Sequence, residues 1–209
     1  MRGRGLGTIP ILLIAGVVIA VIAGYLLLLG GGEGDHGGEG NHISPELIYD
    51  DFNDGTAGTN LGGSAGAMSS DGAYDPTINF TTDAYEGSHA LSIQYEFPDN
   101  QWCGYWSFFK PDQSGYDLSD YSSLMFWVRG GSGSEKFKIE MKDAAGGASY
   151  KYVTITGTHW EQVVIPFSDF EQVPWESAPA DFSNLSQVNI VFDTPPLSGT
   201  VYLDQMGFS

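Results

Sequence analysis

Hydrophobic positions fall into two regimes along the 209-residue chain. Residues 6–29, LGTIPILLIAGVVIAVIAGYLLLL, form one apolar run without a charged side chain. From residue 45 the period changes to two and the segments become short. ALSIQYEF sets Leu91, Ile93, Tyr95 and Phe97 on one face, and SLMFWVRG alternates Leu124, Phe126 and Val128 with Met125, Trp127 and Arg129. KFKIEMKD alternates Phe137, Ile139 and Met141 with Lys136, Lys138, Glu140 and Lys142. YKYVTIT, EQVVIPF, QVNIVFD and TVYLDQMGF continue the pattern, separated by Gly, Pro, Asp and Ser clusters. Alternation of this kind is the signal of half-buried strands. No part of the body sustains a helical period for three turns. The pattern predicts an all-β jelly-roll β-sandwich preceded by one N-terminal transmembrane α-helix.

As a helix the apolar run would extend roughly 36 Å, enough to cross a bilayer. It is longer than a signal-peptide core, and no A-x-A cleavage site follows it. Arg2 and Arg4 precede it and GGEGDHGGEGNH follows. The positive-inside rule then predicts a cytoplasmic basic N-terminus at 1–5, a transmembrane signal anchor at 6–29, a Gly-rich acidic linker at 30–43, and an extracellular domain at 44–209. His36 and His42, with Glu33, Asp35 and Glu39, lie in the linker without a rigid frame, so a solvated tether is expected. Gly16, Ala20 and Gly24 make a small-residue stripe along which two such helices can associate.

Charge narrows the partners. All 26 acidic residues follow residue 32, with only six of the eight basic ones, leaving a net charge of −20 there. Nucleic acid is therefore not an expected partner, because phosphate binding needs clustered cations. A single cysteine, Cys103, excludes an internal disulfide framework and reads as a small buried hydrophobe. Catalysis finds no support. GGSAG at 62–66 matches the nucleophile-elbow pattern around Ser64 but lacks the strand-turn-helix it requires. EMKDAA does not meet the carboxylate spacing of jelly-roll glycosidases, and Asp50 and Asp51 point to opposite faces of a strand. Two sequons, Asn79 in NFT and Asn184 in NLS, are candidate glycosylation sites.

Sugar binding needs flat apolar rings to stack on pyranoses, flanked by groups that pair hydroxyls. Trp102, Tyr105, Trp106, Trp127, Tyr150 and Tyr152 are such rings. Met125, Trp127, Arg129, Lys138, Glu140, Lys142, Tyr152 and Asn189 all take the non-core parity of their strands. They are expected on one mixed aromatic and polar face. Trp160 reads as a core residue and Trp175 as a loop plug. The acidic stretch IYDDFNDG is not an EF-hand, since position 12 from Asp51 is Gly62. Asp204, on a strand between Leu203 and Gln205, needs a cation or several donors if it is buried.

The order of motifs IYDDFNDG, EGSHALSIQYEF, CGYWSFF, YDLSDYSSLMFWVRG, FKIEMKD, THWEQVVIPFSDF, DFSNLSQVNIVFD and GTVYLDQMGF resembles the family 11 carbohydrate-binding modules and related galactose-binding-like jelly-roll domains. The resemblance covers residues 47–208. It implies a non-catalytic domain with a concave glycan cleft to which Tyr105 belongs, and a structural Ca²⁺ held by Asp51, Glu86 and Asp204. Trp127 and Val153 depart from the residues often found in that cleft. The first 24 residues more weakly resemble archaeal type IV pilins, though without the early glutamate of many bacterial pilin helices. The expected function is a membrane-anchored extracellular module that binds a glycan. The alternative is a structural subunit of a pilin-like filament or an accessory subunit of a membrane complex.

Overall fold

A computed structural model describes residues 42–209. The anchor, most of the linker and the Gly16, Ala20, Gly24 stripe lie outside the described residues. No helix among the described residues is long and apolar enough to cross a membrane.

The described chain forms twelve strands: β1 (Leu47–Asp50), β2 (Ala65–Ser69), β3 (Thr77–Thr81), β4 (Ala90–Glu96), β5 (Cys103–Phe108), β6 (Ser123–Gly130), β7 (Lys136–Asp143), β8 (Ala148–Thr154), β9 (Glu161–Pro166), β10 (Glu171–Gln172), β11 (Leu185–Phe192) and β12 (Ser198–Phe208). They build two sheets. The first runs β3-β4-β12-β6-β9, with β1 also paired to β12; the second runs β10-β8-β7-β11-β5-β2. All the pairings are antiparallel. This is the expected all-β sandwich.

The alternation in the sequence places the core. Leu91, Ile93, Tyr95, Leu124, Phe126, Val128, Val201 and Leu203 from the first sheet meet Phe137, Ile139, Met141, Val188, Ile190 and Phe192 from the second. Tyr95 stacks on Phe192 at 3.9 Å, and Phe208 closes one end against Tyr49 and Phe109. β12 is the central strand of its sheet. Its first half pairs with β4 and its second half with β1, while β6 lies along its other side. Between Asp204 and Gly207 the register against β6 slips at a bulge, where Gln205 takes φ 49°. Gly207 allows β1 to approach: a Cβ there would collide with the Leu47 carbonyl oxygen.

Candidate functional site

The outward residues of the second sheet fall into register rows. Tyr152, Lys138, Val191, Gly104 and Met68 form one row, and Tyr150, Glu140, Asn189, Trp106 and Gly66 the next. Lys142, Gln187 and Phe108 form a third. Gly66 leaves room for the indole of Trp106, whose Nε1–H donates to the Ala67 carbonyl at 3.0 Å. Over this floor lies a groove of about 380 Å³, bordered by Trp102 and Trp175. A smaller cavity of about 190 Å³, walled by Tyr150, Tyr152 and Pro174, shares Lys138, Trp175 and Asp193 with it. Trp175 is 72% exposed, more than any other large hydrophobic residue described.

Lys138 organises the floor. Its ammonium lies 3.2 Å from Asp193 Oδ2 and 3.5 Å from Glu140 Oε2, beneath the Trp175 ring at 5.3 Å. Asn189 Nδ2–H donates to Glu140 Oε1 at 3.2 Å, and Gln187 Nε2–H to Asn189 Oδ1 at 2.8 Å. The Tyr152 hydroxyl donates to Asp193 Oδ1 at 3.0 Å. Burial first, and then the negative charge of Asp193, push that phenol up to about 12, so it remains a donor. The floor thus presents oriented amides, carboxylates and an ammonium between flat rings.

Of the residues expected on this face, Lys138, Glu140, Lys142, Tyr152 and Asn189 are brought together. Tyr105 is not among them. It pairs with Ile190 in a core row, is 2% exposed, and leaves its neighbour Trp106 to face outward. Trp127, Arg129 and Met125 sit on β6, on the outer face of the other sheet. There Trp127 stacks on Tyr85 at 3.6 Å and touches His42, while Arg129 lies 3.8 Å from the Tyr202 ring and pairs with Asp83. Alternation distinguishes the two faces of a strand but does not tell which sheet the strand joins. Trp160 belongs to that same outer layer, 5.2 Å from the Arg129 guanidinium, and not to the core. Trp175, expected to plug a loop, instead borders the cleft. The signal available in the sequence was its setting, VPWESAP, where polar and turn residues leave an indole nothing to pack under.

The three residues expected to hold a metal do not assemble as three carboxylates. Asp204 is fully buried, and its oxygens accept the backbone N–H groups of Tyr85 (2.8 Å), Glu86 (3.0 Å) and Gln205 (2.8 Å). The contact between Glu86 and Asp204 is made by the Glu86 backbone N–H and not by its carboxylate. Among the described residues no group of three or more His, Cys, Asp or Glu is arranged to hold a metal. One observation nevertheless suits a hard cation. Asp50 is 2% exposed, its Oδ1 accepts Phe52 N–H at 2.9 Å, and its Oδ2 is buried without a partner. Burial pushes Asp50 up to about 8, and the charges of Asp54, Asp51 and Asp204 add to the shift. Among the described residues none of these four carboxylates has an ion-pair partner.

The remaining candidates are simply placed. Asn79 is exposed on β3, whereas Asn184 is half-buried against Gly115. Burial pushes the Cys103 thiol up to about 12, so it stays unreactive at neutral pH.

A two-sheet β-sandwich with a ring-bordered polar cleft on one sheet has the architecture of a binding module. Residues 50–209 match the family described as Carbohydrate binding domain 30, and the chain belongs to that family. No curated protein sequence matches the chain. Among solved structures, the chain is similar to a family 11 carbohydrate-binding module from Clostridium thermocellum in complex with a β-1,3-1,4-mixed-linked tetrasaccharide. The TM-score is 0.64 at 16% identity, covering 80% of this chain and 96% of that one. A family 30 module of the cellulosomal cellulase Cel9D-Cel44B from Clostridium thermocellum gives 0.57 at 18% identity, covering 80% and 94%. An exo-β-agarase gives 0.59 at 14% identity over 78% of this chain and 25% of that one. At these identities the likeness is one of fold. The expected resemblance to family 11 modules therefore holds, with membership lying in family 30.

Proposed function

We propose that the domain binds a polysaccharide in the cleft of the second sheet without acting on it, and that the apolar segment 6–29 anchors it in a membrane with the cleft displayed outside the cell. The observation that carries this is the pairing of two exposed indoles, Trp102 and Trp175, with a floor of fixed polar groups in one groove. Pyranose rings offer apolar C–H faces to such indoles, and their hydroxyls suit the charged hydrogen-bonding groups of Glu140, Asp193 and Lys138. The absence of chemistry is supported by the state of those carboxylates. Glu140 and Asp193 are both tied to Lys138, whereas glycoside cleavage needs a carboxylic acid free to give its proton to the leaving group. A structural Ca²⁺ belongs to the proposal as well. Beside the buried Asp50 and Asp204 and the half-buried Asp51 it would supply the counter-charge these carboxylates lack.

The test uses the full chain, solubilised in detergent, against a panel of soluble and insoluble polysaccharides. Binding that falls about tenfold or more in Trp175→Ala, equivalent to ~1.4 kcal/mol, is expected. A folded protein that retains no polysaccharide would overturn the proposal and favour the structural-subunit role.

A further inference from the structure

The cations of this acidic domain are not spread evenly. Six basic residues serve a region of net charge −20, and three of them, Lys136, Lys138 and Lys142, stand on the outward face of β7, where Lys138 and Lys142 line the groove. Lys151 on β8 has the opposite parity, in register with core Ile139, and pairs with Asp169 away from the cleft. The charged residues lining the groove and its side cavity are Lys138, Lys142, Glu140 and Asp193, so the lining is electrically balanced within a strongly negative body. These lysines do not have the same job. Lys138 is 5% exposed and held by two carboxylate partners, so its charge is balanced within the protein even where a remaining N–H meets a hydroxyl. Lys136 lies 4.6 Å from the Tyr152 ring. Lys142 remains open: its side chain is 34% exposed, and its one carboxylate neighbour is Glu140 Oε1 at 3.8 Å. That oxygen already accepts Asn189 Nδ2–H. Lys142 lines the groove with Trp102 and the amide of Gln187.

We infer that the cleft selects an acidic glycan, one whose pyranose units carry a carboxylate or a sulfate ester, with the anionic group held by Lys142 while the ring packs on Trp102. This rests on the cleft being the glycan site. Repulsion from the acidic body does not prevent it, because exposed charges beyond ~8 Å are largely screened at physiological ionic strength, whereas a contact in the groove is not. Carboxylate and sulfate share the chemistry an ammonium recognises, so the test separates them.

The full chain in detergent is titrated with polygalacturonate, with a sulfated galactan, and with a neutral mixed-linkage β-glucan. One of the two polyanions is expected to bind about tenfold more tightly than the neutral glucan, the strength of one hydrogen bond to a charged group. That preference should shrink as NaCl rises from about 50 to about 500 mM. Lys142→Gln should collapse the acidic-to-neutral ratio toward one, and Lys142→Arg should keep it. Neutral glucan bound equally well or better, or a preference that survives Lys142→Gln, overturns the inference and leaves polysaccharide binding intact. A folded protein that binds none of the three overturns both.

Discussion

Tyr105 and Trp175 show how much a single residue's position decides. The Tyr105 hydroxyl is buried without a hydrogen-bond partner, and burial pushes its pKa far above the ordinary phenol value. Removing that oxygen takes nothing from the cleft and relieves an unsatisfied group. Tyr105→Phe is thus expected to be neutral or stabilising, while Tyr105→Ala leaves a ring-sized hole in the core and costs about 3–5 kcal/mol. Urea denaturation of both variants checks this. Trp175 has the opposite profile: Trp175→Ala should abolish most glycan binding yet move the melting temperature by less than about 2 °C. The sequence contained both residues but ranked them in reverse. The GYW motif drew attention to its tyrosine, when β5 turns that tyrosine inward and its neighbour outward.

At the scale of elements, two carboxylates hold the ends of β7. Glu135, fully buried, accepts the backbone N–H groups of Ser132 (2.6 Å), Gly133 (2.8 Å) and Ser134 (3.0 Å), which fixes the turn from β6. Asp143 accepts those of Ala145 (2.8 Å), Gly147 (2.9 Å) and Asp181 (2.9 Å), which fixes the turn into β8 and draws in the loop that carries Trp175. Burial opposes ionisation at both, and the amide donors outweigh it, so both pKa values lie below the ordinary carboxylate range. A depressed folded pKa gives stability that is complete above the unfolded value near 4 and is lost as pH falls through the folded value. Glu135→Gln should cost about 1–3 kcal/mol at pH 7, and its gap from the parent should close as pH drops from about 4 toward 2. Denaturation curves at three pH values read this directly. Strand positions and core residues were legible because burial on one side imposes a period of two. Partnership between sheets was not, since β6 and β7 are consecutive in the chain but belong to different sheets. That placed Trp127 and Arg129 on the wrong face, and the turn carboxylates carry no periodic signal at all.

For the whole molecule, the acidic cluster around Asp50 decides whether folding needs an ion. Saturating Ca²⁺, at roughly a hundred times its dissociation constant, should stabilise the parent by about 2.7 kcal/mol, a shift that a chelator reverses and that is absent in Asp50→Asn. Identical melting with Ca²⁺ and with chelator would mean that Asp50 is kept neutral by its own burial. The position of β12 has a consequence for how the protein is made. The strand that completes the first sheet, between β4 and β1 on one side and β6 on the other, is the last of the twelve to be synthesised. At about 5–20 residues per second, the ribosome takes several seconds to pass from the end of β6 to the start of β12. Throughout that interval β4 and β6 present open edges that can pair with any other chain. Early termination or slow translation in that stretch therefore yields an aggregation-prone nascent species, not a shortened working domain.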